Sequence, residues 1–324
     1  MQYRTLGKTG LRVSEVTLGG GGIGMVWGET TEEECLETVK AAVAAGINTI
    51  DVAPIYGKGT AEEIVGRVLP ELDERPLIAT KVFLQPQERT DLAGAIRRSV
   101  EASLSRLGCE RIDIFQLHNQ IEPEEPSAPL RLSLHEVRRP NGVLDTLQQL
   151  KDEGVVGAIG FTGIARHDVI EELLSEARLE TVQLVTNILN SEGEMGAAGD
   201  GAYRDHLKMV QTAQANGLGV FGIRPFAAGS LTDAIDRSLP DDHPVAADFA
   251  LAHSELGFLT DQDSMAVAAM RYALSLPGVS TVVTGAKNRA ELAEAIAATR
   301  AGPLSTEVME RIAELQQTVL KRPA

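Results

Sequence analysis

The chain has 324 residues, 43% hydrophobic and 23% charged, which is enough apolar material for a large core and unlike a disordered composition. Its formal charge of −16, from 46 acidic against 30 basic residues, argues against nucleic acid, because a phosphate backbone is held by clustered Lys and Arg. An anionic ligand would need a local basic pocket. No apolar run approaches the ~20 residues that span a bilayer, and Met1-Gln-Tyr-Arg lacks the apolar core of a secretory signal. Cys35 and Cys109 fit neither a disulfide framework nor a metal pair, so a cytoplasmic chain with no membrane partner and no metal is expected.

The first residues, Tyr3-Arg-Thr-Leu-Gly and Leu11-Arg-Val-Ser around Lys8-Thr-Gly10, read as a small β-hairpin. Eight short apolar runs follow, at 16–18, 49–52, 77–80, 112–117, 155–161, 182–186, 218–223 and 279–283. Helix-period stretches alternate with them. The first has Leu36, Val39 and Val43 on one face, with Thr31 and Glu34 spaced as a capping box. The others are 61–69, 92–107, 144–151, 167–174, 203–215, 264–276 and 289–298, and an extra helix at 306–320 lies beyond the repeat. Strands that are apolar on both faces are buried on both faces. Eight such units predict an α/β fold, a closed (β/α)8 TIM barrel spanning residues 1–324 as one domain. Two long stretches, 119–142 and 230–263, follow strand ends on the face where such barrels build their sites, and are expected to be substrate loops.

Gly19-Gly-Gly21-Gly-Ile-Gly24 satisfies G-x-G-x-x-G and follows a strand, which on its own suggests a Rossmann domain. That fingerprint needs its last glycine to open the helix that meets the pyrophosphate. Here Met25-Val-Trp-Gly-Glu intervenes and the capping signals sit at Thr30 and Thr31. The run reads instead as a flexible first βα loop, in which Gly20 and Gly21 let a cofactor approach the backbone. Trp27, the sole tryptophan, lies in this loop and is a candidate wall of the substrate pocket.

The chemistry is carried by strand ends. The second strand ends in Asp51-Val-Ala-Pro-Ile-Tyr56-Gly, the third in Ala79-Thr-Lys81 and the fourth in Gln116-Leu-His118-Asn. In a barrel these ends converge. Taken singly, each residue has an ordinary structural role; together they form a proton-handling set. A tyrosine with a pKa of about 10 is a weak acid at neutral pH, an adjacent ammonium lowers that value, and a carboxylate keeps the ammonium charged. Asp51, Lys81 and Tyr56 supply that chain, and a neutral His118 can align a carbonyl. Hydride is the task of a nicotinamide.

These three segments resemble the catalytic tetrad segments of the aldo-keto reductase superfamily, and the resemblance extends over nearly the whole chain, from the opening hairpin to Gly278-Val-Ser-Thr-Val-Val-Thr-Gly285-Ala. It implies a (β/α)8 barrel, usually NADP(H), and interconversion of a carbonyl with an alcohol. It also implies cofactor residues. Thr162, where the family commonly has Ser, and Gln183 would meet the carboxamide. The segment Arg224-Pro225-Phe226-Ala-Ala-Gly229 would line the cofactor, with the Arg224 guanidinium meeting the pyrophosphate or pairing instead with an acidic substrate loop, and Gly285, Lys287 and Arg289 would meet the adenosine phosphate. Lys287 and Arg289 form the basic pocket that favours NADPH. Glu291 and Ala295 stand where the family often has Gln and Asn contacts to adenine, which weighs against a strict preference. The expected function is NADPH-dependent reduction of a small-molecule aldehyde or ketone. The alternatives are an NAD(P)-dependent sugar or alcohol dehydrogenase on the same scaffold, or a non-catalytic cofactor-binding regulatory subunit.

Overall fold

The computed structural model describes residues 1–26, 28–192, 205–235, 237–240, 242–261 and 263–320. The hairpin forms from β1 (Tyr3–Thr5) and β2 (Arg12–Ser14), paired antiparallel, with a 3-10 turn between them. Next come β3 (Val16–Gly19), a one-turn helix α1 (Gly20–Ile23), α2 (Glu32–Ala44), β4 (Thr49–Asp51), α3 (Thr60–Val68), β5 (Leu77–Val82), α4 (Leu92–Leu107) and β6 (Ile112–Leu117). The stretch 119–142 contains β7 (Ile121–Glu122), β8 (Leu132–Ser133) and α5 (Leu134–Arg138). The repeat resumes with α6 (Val143–Asp152), β9 (Val156–Thr162), α7 (His167–Leu174), β10 (Thr181–Val185), α8 (His206–Ala215) and β11 (Gly219–Ile223). The chain then forms α9 (Pro244–Glu255), α10 (Met265–Ser275), β12 (Val279–Thr284), α11 (Arg289–Ala301) and the extra α12 (Thr306–Gln317).

Strands β3, β4, β5, β6, β9, β10, β11 and β12 close into a parallel barrel, β12 returning to β3 with Val282 opposite Val16. Each begins and ends within two residues of its apolar run, because side chains on both faces of the strands are buried. The hairpin closes the bottom. Leu6 and Val13 are fully buried against Ala79, Ile114, Ala158 and Phe221, inward residues of four strands, and Arg4 Nη1 donates to Val279 O at 2.8 Å. With its base filled by apolar side chains, the barrel can build a site at the C-terminal end of its strands.

Neither expected substrate loop is wholly irregular. In the first, Ser133 and Glu136 form a reciprocal capping box that starts α5, and Arg89 grips the Glu136 carboxylate with two bonds of 2.6 Å. In the second, α9 starts at Pro244, with the His243 ring accepting from Val245 N. Proline at the first helical position was the local signal for it. Among the described residues no helix is long and apolar enough to cross a membrane.

Candidate active site

Asp51 is the last residue of β4 and Lys81 the penultimate residue of β5. In-register pairing places Asp51 beside Ala79, and Lys81 beside Gln116 of β6. Both point into the barrel and are buried, Lys81 at 0% and Asp51 at 2% exposure. A buried charge must be matched, and this one is. Lys81 Nζ donates to both Asp51 carboxylate oxygens at 2.8 Å and to Val52 O at 2.9 Å. From the far side of the barrel, Gln183 Nε2 on β10 donates to Asp51 Oδ1 at 2.7 Å. Burial works against the Lys81 ammonium, but the Asp51 carboxylate and the Tyr56 oxygen outweigh it and hold its pKa above the usual value.

Tyr56 opens the 3-10 turn after β4 and is half-buried. Its ring centre lies 5.2 Å from Lys81 Nζ and 5.7 Å from the His118 ring, which meets it edge to face at 89°. The Phe83 ring centre lies 5.9 Å from that of His118, also edge to face. Burial and the proximity of Lys81 push the His118 pKa well below its ordinary value, so the imidazole is neutral. Its Nδ1 is buried without a hydrogen-bond partner. The tyrosine differs from expectation. Burial raises its pKa, and the lowering by Lys81 is offset in part by Asp51, so the phenol is held above its ordinary value. The ammonium does not act alone here; its paired carboxylate cancels much of its field, and the apolar surroundings favour the neutral phenol.

The residues expected to hold a dinucleotide divide into several groups. Thr162, at the end of β9, is 4% exposed and its Oγ1 is buried with no partner, an orphan that a ligand amide would satisfy. Gln183 has its amide nitrogen committed to Asp51. Arg224 is half-buried and left-handed at φ 56°, and its carbonyl accepts from Asn187 Nδ2 at 3.1 Å. Ala227 and Ala228 are also left-handed, at φ 47° and 58°, with Gly229 at 98°, so the Pro225-Phe226 segment sits in a strained loop. Gly285 and Lys287 lie in the turn after β12, and Arg289 begins α11, whose N-terminus is capped by Asn288.

The first βα loop departs from expectation. Gly20 and Gly21 form a buried helical turn, and their neighbours explain the missing side chains: a Cβ on Gly20 would lie 2.8 Å from Val52 Cγ1, and one on Gly22 2.5 Å from the Ala286 carbonyl. Packing against the β4 end and the β12 loop leaves no room for a side chain at Gly20 and Gly22. Trp27 lies outside the described residues. The capping box of α2 is half made. Thr31 accepts from Glu34 N at 3.2 Å, but the Glu34 carboxylate turns to Arg289, a charged and therefore stronger donor than a backbone N–H.

Comparison with known proteins agrees with this architecture. The sequence profile of the Aldo/keto reductase family matches residues 15–317. L-galactose dehydrogenase of Arabidopsis thaliana is 28% identical over 307 residues, covering 92% of this chain and 88% of that protein. The NADH-specific methylglyoxal reductase of Escherichia coli is 30% identical over 255 residues, covering 73% of this chain and 71% of that protein. An aldo-keto reductase from Bacillus halodurans, solved in its holo form, superposes with a TM-score of 0.74 at 24% identity, over 100% of this chain and 97% of that one. The chain belongs to the aldo/keto reductase family.

Proposed function

We propose that this chain reduces an aldehyde or ketone to an alcohol, with Asp51, Tyr56, Lys81 and His118 as its catalytic residues and a nicotinamide dinucleotide as its cofactor. The observation that carries the reading is the buried Lys81–Asp51 pair beneath Tyr56, with a neutral imidazole edge-on to the phenol. When bound, the cofactor supplies hydride for the carbonyl carbon. Tyr56, kept protonated by burial, donates its proton to the carbonyl oxygen. Lys81, held charged by Asp51, stabilises the phenolate that remains. The neutral His118 ring offers an N–H to the same oxygen and orients it.

In this reading Thr162 holds the carboxamide, the segment from Arg224 to Gly229 holds the pyrophosphate, and the turn at Gly285 with Lys287 and Arg289 meets the adenosine half. Lys287 and Arg289 lie where the 2′-phosphate that distinguishes NADP(H) from NAD(H) would sit. The similarity to a reductase named as NADH-specific means that the scaffold does not impose NADPH.

The similarity to L-galactose dehydrogenase favours a second reading, in which the same four residues run the reaction from a sugar hydroxyl. Steady-state rates in both directions separate the two. The decisive experiment is a nicotinamide-consumption screen over aldehydes, ketones and sugars with Tyr56→Phe as control. Turnover is expected to fall at least about 100-fold in the variant while dinucleotide binding is kept. A wild type that binds dinucleotide tightly and turns over nothing would favour a regulatory subunit instead.

A further inference from the structure

The turn after β12 was expected to form a basic pocket, yet both of its cations are already matched. Lys287 Nζ donates to Glu291 Oε1 at 2.5 Å, and the Lys287 backbone N–H donates to Glu291 Oε2 at 2.9 Å. Arg289 Nε and Nη2 donate to the two Glu34 oxygens at 3.1 and 3.0 Å, and the Arg289 backbone N–H adds a third bond of 3.1 Å to Glu34 Oε1. Glu34 comes from α2, 255 positions away, so the tertiary fold brings this carboxylate to the site. Glu33 and Glu37 of the same helix also act on Arg289. Thr30 Oγ1 donates to Lys287 O at 2.8 Å and ties the entry of α2 to the turn. The Lys287 side chain is only 14% exposed, which limits its freedom to change partners.

We infer that this site favours NAD(H) over NADP(H), and that Glu34 and Glu291 are the residues that set the preference. The inference rests on the reading of the chain as a nicotinamide-dependent oxidoreductase. The two cofactors differ by one 2′-phosphate, which carries nearly two negative charges at neutral pH. To be bound it needs cations with spare hydrogen-bond donors and no competing anion. Here it meets two cations that are each already paired with a carboxylate, with further acidic residues on the same helix, so it must displace those carboxylates or lie beside them. A ribose 2′-hydroxyl does the reverse, because it donates a hydrogen bond that a carboxylate accepts. The chain's net charge of −16 has the same unfavourable sign for the phosphate at longer range.

The test is calorimetric titration of the intact protein with NADH, NADPH, 5′-AMP and 2′,5′-ADP, in wild type and in the E34Q/E291Q double variant. Wild type is expected to bind NADH at least about tenfold more tightly than NADPH, and to gain nothing from the extra phosphate of 2′,5′-ADP over 5′-AMP. In the double variant the affinities for NADPH and 2′,5′-ADP should rise about tenfold or more, while that for NADH moves less than about threefold. A wild type that binds NADPH as tightly as NADH overturns the inference, and this arm needs no variant. A double variant with weakened NADPH binding also overturns it, since the carboxylates would then be orienting the cations for phosphate. Wild type that binds neither dinucleotide overturns the oxidoreductase reading itself, and this inference with it.

Discussion

Gln183 Nε2 donates to Asp51 Oδ1 at 2.7 Å, joining β10 to β4 across the barrel interior. The same oxygen accepts from Lys81 Nζ at 2.8 Å, so the carboxylate that holds the ammonium is itself held from the opposite wall. Gln183→Met keeps the volume and removes this donor from a buried acceptor. A loss of about 1–3 kcal/mol is expected in urea unfolding, toward the lower end because Lys81 remains. Unchanged stability would mean that Gln183 does not anchor Asp51.

The Asp51–Lys81 pair should behave as one unit. Asp51→Asn or Lys81→Met alone leaves the other charge buried and unmatched, which costs about 3–5 kcal/mol. Both also remove the support of Tyr56, so turnover falls. The double variant D51N/K81M, with no buried charge, should recover part of the stability and none of the turnover. A double-mutant cycle by chemical denaturation reads this coupling, and additive losses would refute it.

The pH dependence follows from the two aromatic groups. In the proposed reaction Tyr56 acts in its protonated form; its pKa is raised, chiefly by burial, so reduction should hold through neutral and mildly alkaline pH. The rate should fall only above the ordinary tyrosine value of about 10. His118 is depressed, chiefly by burial, and is neutral in the folded protein. A depressed folded pKa contributes stability that is present above the unfolded value of about 6.5 and lost as the pH falls toward the folded value. Melting temperatures from pH 7 to 4.5 should show a smaller acid-side decline in His118→Phe than in wild type. A rate inflection near pH 6.5 that disappears with His118 would contradict a neutral imidazole.

Gly22→Ala tests why the first loop is rich in glycine. The added Cβ would fall 2.5 Å from the Ala286 carbonyl and 2.7 Å from Lys287 N, all backbone atoms that cannot rotate away. Either α1 or the turn after β12 must shift, at about 1–3 kcal/mol. Thermal unfolding should register the loss, and dinucleotide affinity should weaken with it because the turn carries Lys287. A variant as stable as wild type would show that the contact relaxes freely.

Much of the fold could be read locally. The barrel strands announce themselves as apolar runs without alternation, α2 by one apolar face, and α4 and α7 by helical periodicity whose bounds the structure reproduces. Besides the one-turn α1 and the short β7 and β8, two helices escaped, α5 and α9, each inside a stretch read as loop. Their capping signals, Ser133 with Glu136 and Pro244 after His243, were present. In α9 small and apolar residues surround the helix, so no single-faced stripe marked it.

The barrel, its hairpin plug and the meeting of Asp51, Tyr56, Lys81 and His118 at one end were legible in the chain, because burial pattern and chain order follow from short-range periodicity and from closure of the sheet. How these groups and their neighbours pair became visible in the closed barrel alone. Lys287 and Glu291 are four residues apart, so their pairing is a local one. Arg289 with Glu34, and Gln183 with Asp51, join distant segments, and no local pattern specifies them. The direction of the Tyr56 shift had the same origin. Desolvation and the Asp51 charge depend on distance and burial, and these exist only once the barrel has closed.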